Sequence, residues 1–365
     1  MPLYTGRPNI PEIDTFLARA KEALENKRLS NNGPMVVELE NRLSAYLGVQ
    51  HVITTCNATI GLIVAIKALG LSGEIILPAF TFIASAHVLE WEGIKPVFCD
   101  IDPQTHNIDP VKVESLITDK TTAIMGVHIW GKPCSHDELL TIARKHNLKL
   151  FYDAAHAFGT TYKSRPIAAL EDISVLSFHA TKSFNTFEGG AIVTNDDTLA
   201  RKAKLMCNYS FEGEDNVVGL GINAKMSEIN AAMGLCSLDN YSKVLAHNKQ
   251  VYSYYKEKLS QVDGISVVDY TKDEKHNYHY IVTEVDAQIF GCSRDAIHSY
   301  LKTKGIMARR YFYPGCHKSE PYKSLYPDVN LPYTDVLCMR VLALPGGSGI
   351  NELGQVDEIV ECLKE

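Results

Sequence analysis

Short apolar runs rich in β-branched residues alternate with amphipathic segments through the first two thirds of this 365-residue chain. Such alternation is typical of βαβ units, in which helices cover both faces of a mostly parallel sheet. Seven runs have the length and composition of strands: 52–55, 74–77, 96–100, 122–128, 148–152, 173–178 and 191–194. We therefore predict an α/β fold built on one large, mostly parallel seven-stranded sheet.

Two helices in the first part of the chain have clear start signals. Pro34 stands just before a segment, 36–47, whose apolar positions fit one broad helical face, and proline suits a first helical turn. Asn57 precedes an apolar stretch that we expect to be helical as far as about Leu69.

The pattern changes beyond about Tyr241. A long helix that mixes lysines with valines and tyrosines comes first, and a smaller region of mixed helices and strands follows to the end of the chain. We therefore predict a large α/β domain over 1–240 and a smaller C-terminal α+β domain over 241–365.

Composition narrows the class of protein. Hydrophobic residues make up 45% and charged residues 22%, which is ordinary for a soluble globular protein. A net charge of −7 and a pI near 6.0 give no reason to expect nucleic acid or an anionic membrane as a partner. No apolar run approaches the length of a membrane span, and the first ten residues lack the apolar core of a signal peptide.

The nine cysteines are scattered along the chain and include no CxxC pair. This usage indicates reduced thiols, and it argues against a disulfide framework or a zinc site. We therefore expect a cytoplasmic protein without a bound metal.

Lys182 and Asp153 are the residues most informative about chemistry. Asp153 follows the apolar run 148–152, and Lys182 ends the run 177–182 just before the pair Gly189-Gly190. Alone, each would be a surface lysine or a turn aspartate. Together, at the edge of a parallel sheet, they suit pyridoxal phosphate, with the lysine as its Schiff-base partner and the aspartate keeping the pyridine nitrogen protonated.

Other polar residues also follow predicted strands. Asn57, Ala58 and Thr59 join a strand to a helix, and the N–H groups of such a turn bind phosphate, although Asn and Thr are also common helix caps. Ser177 could reach the same phosphate or bond to nearby backbone.

Two rings stand at similar positions. Phe82 could stack on a planar cofactor or pack in the core. His156 could support Asp153 or the cofactor hydroxyl, or it could be structural.

Nearly the whole chain resembles the DegT/DnrJ/StrS family of sugar aminotransferases, which are fold type I pyridoxal phosphate enzymes. The resemblance is carried by segments in a specific order: Gly6-Arg7-Pro8, Asn31-Asn32-Gly33-Pro34, Cys56-Asn57-Ala58-Thr59, Asp153-Ala154-Ala155-His156, 177–182, 184–190, 221–226 and 310–317. Any one segment is modest support, but their order is highly specific.

The resemblance implies roles for the cofactor residues. Lys182 would be the Schiff-base lysine and proton shuttle, Asp153 would pair with the pyridine nitrogen, Phe82 would stack on the ring and His156 would lie near its hydroxyl. The phosphate would be held by Ala58, Thr59 and Ser177, beside Asn57.

The resemblance also implies contacts beyond one subunit's cofactor site. Asn223, otherwise an ordinary turn residue, would reach the phosphate of the neighbouring subunit, which implies a homodimer with shared active sites. Arg7, Asn31, Arg310, Tyr311 and His317 would bind the nucleotide sugar, although an arginine beside tyrosines can also form a packed surface cluster.

The implied reaction is amino transfer from L-glutamate to C4 of dTDP-4-dehydro-6-deoxyglucose, giving dTDP-4-amino-4,6-dideoxyglucose and 2-oxoglutarate. Relatives that dehydrate sugars commonly replace the Schiff-base lysine with histidine, so Lys182 favours amino transfer. Transfer to C3 of a dTDP-3-keto-6-deoxyhexose stays open as an alternative. A non-catalytic regulatory protein is disfavoured because both Asp153 and Lys182 are present.

Overall fold

The structure, a computed structural model, describes residues 2–271 and 274–364. Its strands are Leu3–Tyr4 (β1), His51–Thr55 (β2), Glu74–Pro78 (β3), Lys95–Cys99 (β4), Thr121–Val127 (β5), Lys149–Asp153 (β6), Thr161–Tyr162 (β7), Arg165–Pro166 (β8), Ile173–Ser177 (β9), Gly190–Thr194 (β10), Ile265–Val267 (β11), Ile281–Val285 (β12), Ile306–Met307 (β13) and Val341–Leu344 (β14).

The α-helices are Ile13–Glu25 (α1), Pro34–Leu47 (α2), Ala58–Leu69 (α3), Ile83–Trp91 (α4), Pro110–Ser115 (α5), His136–Lys145 (α6), Asp197–Met206 (α7), Glu228–Leu259 (α8), Ala287–Phe290 (α9), Arg294–Thr303 (α10), Tyr322–Leu325 (α11), Pro332–Arg340 (α12) and Gly354–Cys362 (α13). Short 3₁₀ helices lie at Ile129–Gly131, Ile167–Ala169, Cys316–Lys318 and Gly347–Gly349.

A seven-stranded sheet lies at the centre of the fold, in the order β2-β10-β9-β6-β5-β3-β4. All neighbouring strands are parallel except β10, which is antiparallel to both β2 and β9. The seven predicted strands are these seven, with each end within one residue of its predicted position. The predicted sheet is confirmed.

Helices cover both faces of this sheet. Ile76 in β3 packs on one face, with side chains of α2, α6 and α8. Its neighbours Ile75 and Leu77 pack on the opposite face, with side chains of α3, α4 and α7, because side chains alternate along a strand. A strand buried on both faces reads as a continuous apolar run, which is why the sequence showed these strands clearly.

The C-terminal part forms its own layer. The antiparallel sheet β11-β12-β14 shares a core with α10, α13 and the second half of α8. Strand β1 pairs in parallel with β13, so the start of the chain joins this part. Helix α8 runs through the predicted boundary at 240/241, and the two-domain division, whose outer ends Met1 and Glu365 lie outside the described residues, stays a prediction.

The helix starts were predicted with mixed success. Helices α2 and α3 begin as expected, with Pro34 in the first turn of α2 and Asn57 as the cap of α3. Helix α8 instead begins at Glu228, well before Tyr241, so the expected start was wrong. Its first turns contain a nearly unbroken buried stretch, 231–237, which lacks the one-sided pattern that marks a helix. Of the helices described, none is long and apolar enough to span a bilayer.

Candidate active site

The carboxyl ends of several central strands meet at one cavity of about 290 Å³. Eight of the predicted cofactor residues line this cavity, which we call the inner cavity: Asn57, Ala58, Thr59, Phe82, Asp153, His156, Ser177 and Lys182. They come from the turn after β2, the segment after β3, the end of β6 and the segment from the end of β9 onward. The topology therefore brings together residues that are far apart in the sequence, at the edge where ligands of open α/β sheets bind.

Lys182 lies in the turn that follows β9 and is partly buried. Its Nζ donates a hydrogen bond to Tyr280 Oη at 3.0 Å. Burial lowers the pKa of Lys182 to about 8, while the nearby Tyr311 and Asp153 side chains act in the opposite direction. At pH 7 about a tenth of the Lys182 amine is therefore neutral, a much larger fraction than for an exposed lysine.

Asp153 is the last residue of β6 and is buried. Its Oδ2 accepts a hydrogen bond from Ser85 Oγ at 2.7 Å, and its Oδ1 accepts one from Ala155 N–H at 3.1 Å. Burial raises the pKa of Asp153, and these two bonds together with the charge of Lys182 oppose that rise. The carboxylate is oriented by its neighbours and is coupled to the lysine.

His156 lies on the wall of the inner cavity beneath aromatic side chains. Its Nδ1 accepts a hydrogen bond from Trp130 N–H at 3.3 Å, and its ring stacks with Trp130 and Phe312. Burial lowers the pKa of His156 well below its ordinary value, and the charge of Lys182 lowers it further. The imidazole is neutral.

The start of α3 forms the end of the inner cavity that is suited to bind an anion such as phosphate. Asn57 Oδ1 accepts from Ile60 N–H at 2.9 Å, which leaves the first-turn N–H groups of Ala58 and Thr59 beside the cavity. A Cβ on Gly190 would lie 2.7 Å from Ala58 N, so only glycine lets β10 pass this close. The turn that follows β2 is therefore packed directly against the start of β10.

A second cavity of about 400 Å³, the outer cavity, shares four lining residues with the inner one: Phe82, Arg309, Tyr311 and Phe312. Arg310 lines only the outer cavity, where its Nη1 donates to Asp295 Oδ1 at 3.0 Å and its guanidinium lies over the Tyr313 ring. Two predicted substrate residues, Arg310 and Tyr311, are therefore at the outer cavity.

The remaining predicted residues lie elsewhere in the chain. His317 is buried and its Nε2 bonds to Asp335 Oδ1 at 3.0 Å, outside the lining of both cavities. Arg7 donates to the carbonyl of Pro2, and Asn31 and Asn223 are exposed. The roles expected for these four residues stay predictions.

The lining or supporting residues that were not predicted as site residues include Ser85, Tyr280, Arg309 and Phe312. Ser85 stands inside α4 with no local signal, and the other three come from the C-terminal part, beyond the βαβ pattern. Only the carboxyl-edge rule could have suggested Ser85, since α4 follows β3. Across residues 2–271 and 274–364, no three His, Cys, Asp or Glu side chains are grouped so as to hold a metal ion.

A mostly parallel sheet with an amine and a buried carboxylate in one cavity at its carboxyl edge is the arrangement of an α/β aminotransferase of fold type I. The chain belongs to the DegT/DnrJ/EryC1/StrS aminotransferase family, whose sequence profile matches residues 12–364. Family membership confirms the resemblance, the predicted fold class and the expectation of an aminotransferase.

Individual relatives are similar over nearly their whole length. A dTDP-4-amino-4,6-dideoxy-D-glucose transaminase from Shigella dysenteriae is 41% identical over 344 residues, 94% of each chain. The crystal structure of DesI in the presence of its TDP-sugar product has a TM-score of 0.95 and 43% identity, covering 100% of this chain and 92% of DesI. The PLP-form of Spr1654 from Streptococcus pneumoniae has a TM-score of 0.92 and 26% identity, covering 100% of this chain and 98% of Spr1654.

Proposed function

We propose that this enzyme transfers the amino group of L-glutamate to C4 of dTDP-4-dehydro-6-deoxyglucose, with pyridoxal phosphate as cofactor. The products are dTDP-4-amino-4,6-dideoxyglucose and 2-oxoglutarate. The observation that carries the proposal is the Lys182 amine and the Asp153 carboxylate in one cavity beside the start of α3. The choice of C4 and of a dTDP sugar is supported by the named transaminase with 41% identity.

Pyridoxal phosphate fits the groups that line the inner cavity. The Lys182 amine suits its aldehyde, the Asp153 carboxylate suits a protonated pyridine nitrogen, and the N–H groups at the start of α3 suit its phosphate. Phe82 is 59% exposed and lines the cavity, so its ring is accessible for stacking. When bound, the cofactor supplies an electron sink for negative charge at the carbon that loses or gains nitrogen.

Lys182 carries the proton in this proposal. A pKa of about 8 lets Nζ both take up and release a proton near neutral pH. The bond to Tyr280 Oη fixes where Nζ stands, so that protons are exchanged at one position. Tyr280 is therefore a positioning partner of the lysine.

The outer cavity suits the sugar nucleotide, since it adjoins the inner cavity and shares four lining residues with it. Arg310 is already bonded to Asp295, whereas Arg309, whose guanidinium lies over the Tyr311 ring, lines both cavities. We infer that Arg309 and Tyr311 contact anionic and hydroxyl groups of the substrates. Arg309 thus joins the residues expected from the sequence.

We also propose a cytoplasmic homodimer with shared active sites. The segment 209–222 exposes a cluster of large apolar side chains: Tyr209, Phe211, Val217, Val218, Leu220 and Ile222. Exposed apolar clusters of this kind support association with another protein surface. Asn223 follows the segment directly, which suits its expected reach into the neighbouring site. Nine free thiols support a reducing compartment.

The decisive experiment incubates the purified, pyridoxal phosphate-loaded protein with L-glutamate and with 4-keto or 3-keto dTDP sugars. We expect 2-oxoglutarate to form with the 4-keto sugar, and NMR of the product to place the new amine at C4. The Lys182→Ala variant should lose both the yellow colour and the reaction. An amine at C3 would overturn the choice of carbon, and absence of 2-oxoglutarate with every sugar would overturn amino transfer.

A further inference from the structure

Trp130 lies between the inner cavity and the C-terminal part of the molecule. It is fully buried and stacks on Phe312 with ring centroids 5.3 Å apart. Its backbone is in the left-handed region, with φ of 61°. This conformation is a genuine outlier for a bulky residue and persists only where the surroundings enforce it.

The indole of Trp130 is held by a second residue that has a left-handed backbone conformation. Its Nε1–H donates to His106 Nδ1 at 3.1 Å, and His106, whose φ is 64°, is also fully buried. An indole N–H can only donate, so His106 must carry its own proton on Nε2. That nitrogen lies 3.1 Å from Glu284 Oε1, where the proton meets a carboxylate. The chain of donors and acceptors is complete without any charged imidazole.

Neighbouring contacts hold the same loop in place. Asn107 Oδ1 accepts from Ile129 N–H at 3.1 Å, and its Nδ2 donates to the carbonyl of Pro133 at 2.9 Å. Tyr270 Oη donates to the carbonyl of Trp130 at 3.1 Å. Contacts from both the central-sheet part and the C-terminal part therefore fix the position of the Trp130 backbone N–H.

That backbone N–H points at His156 Nδ1. A nitrogen that accepts a hydrogen bond carries no proton, so the neutral ring must carry its proton on Nε2, on the other side of the ring. The carbonyl of His156 accepts from Asn277 Nδ2 at 2.8 Å, which fixes its backbone as well. His156 lines the inner cavity, and Nε2 is the ring nitrogen that the Trp130 N–H leaves unoccupied.

We propose that Trp130 and His106 are positioning residues that lock His156 in the Nε2–H tautomer, so that it serves the inner cavity only as a hydrogen-bond donor. The left-handed backbone of Trp130 is the device that turns its N–H toward His156. Glu284, from β12, anchors this relay from the C-terminal part. The use of the His156 N–H toward an oxygen of the cofactor rests on the proposed function, whereas the tautomer does not.

The tautomer is measured on ligand-free protein labelled with ¹⁵N-histidine, by long-range ¹H–¹⁵N correlation spectra. A His156→Asn sample identifies the His156 signals among those of the 13 histidines. We expect a neutral ring protonated on Nε2. A ring protonated on Nδ1, or on both nitrogens, would overturn the proposal, and this result needs neither cofactor nor activity.

Trp130→Phe tests the relay, because it keeps an aromatic ring but removes the indole donor. We expect His156 to populate both tautomers and kcat to fall roughly fivefold to tenfold, the effect of one lost neutral hydrogen bond. Trp91→Phe is the matched control, since Trp91 is the chain's other tryptophan and is 82% exposed. A His156 spectrum in Trp130→Phe identical to that in Trp91→Phe would overturn the relay. If no substrate reacts but the tautomer is as expected, the proposed function fails and the relay stands.

Discussion

Burial of Lys182 lowers the pKa of its amine and so increases the fraction of neutral amine near pH 7. An unperturbed lysine has a pKa of about 10.4, so fewer than about one in a thousand amines are neutral at pH 7. With a pKa of about 8, about a tenth of Lys182 is neutral at that pH. Because only the neutral amine attacks an aldehyde, burial of this side chain contributes directly to its reactivity.

The pH dependence of cofactor uptake follows from this shift. Since the pKa of Lys182 is lowered, raising the pH from 6 to 8 converts charged amine to neutral amine, and above pH 8 little more is gained. The rate at which apoprotein becomes yellow with pyridoxal phosphate should rise about tenfold per pH unit below pH 8 and then level off. Stopped-flow absorbance measures it, with free Nα-acetyl-lysine as the unperturbed control. A rate that climbs steadily to pH 10 would contradict the lowered pKa.

Ser85 supports Asp153 through one hydrogen bond that favours the charged carboxylate. Ser85→Ala should therefore raise the pKa of Asp153 and weaken the retention of pyridoxal phosphate by roughly tenfold. Equilibrium dialysis of the apoprotein gives the dissociation constant. Ser174→Ala is the control, because that buried hydroxyl in β9 has no partner among the described residues. Equal affinities in the two variants would show that Ser85 has no part in cofactor binding.

Helix α2 shows how an element can depend on one distant side chain. Glu228 is 1% exposed, and its carboxylate accepts hydrogen bonds from Met35 N–H and Val36 N–H at 2.9 and 3.0 Å. These are first-turn N–H groups without partners inside the helix. A Cβ on Gly33 would collide with that carboxylate, so glycine is required where the segment before α2 meets the start of α8.

Removal of this cap should destabilise the fold. Glu228→Ala leaves two buried N–H groups without an acceptor, and the free energy of unfolding should fall by about 2–4 kcal/mol. Urea unfolding followed by circular dichroism measures the change. Glu22→Ala, at an exposed position in α1, should have little effect. A loss below about 0.5 kcal/mol for Glu228→Ala would mean that water replaces the carboxylate.

The elements differ in how well they could be predicted from the sequence. The strands of the central sheet were confirmed because burial on both faces produces continuous apolar runs. The start of α8 was missed because its first turns are buried on all sides, which removes the helical period. An apolar run of that kind is ambiguous between strand and helix until its neighbours are known.

At the scale of the whole molecule, the proposed sharing of active sites between subunits leads to a quantitative prediction. A heterodimer of one Lys182→Ala subunit and one Asn223→Asp subunit retains one intact site, provided that Asn223 acts across the interface. Purified through two different affinity tags, it should have about half the activity of the wild-type dimer. Both mutant homodimers should be nearly inactive, because one lacks the amine and the other places a carboxylate near the phosphate. A heterodimer as inactive as the homodimers would place Asn223 in its own subunit's site.

The sequence by itself determined the family and the α/β class, and it predicted that Lys182 and Asp153 act as a pair. These depend on periodicity and on residue types within contiguous segments, and such patterns can be recognised without knowledge of how the chain packs. Only the tertiary structure decided which distant groups act on that pair. Tyr280 bonds to Lys182 from 98 positions away and Ser85 bonds to Asp153 from 68 positions away. Such contacts depend on how the sheet, its helices and the C-terminal part pack together, and no local pattern encodes them.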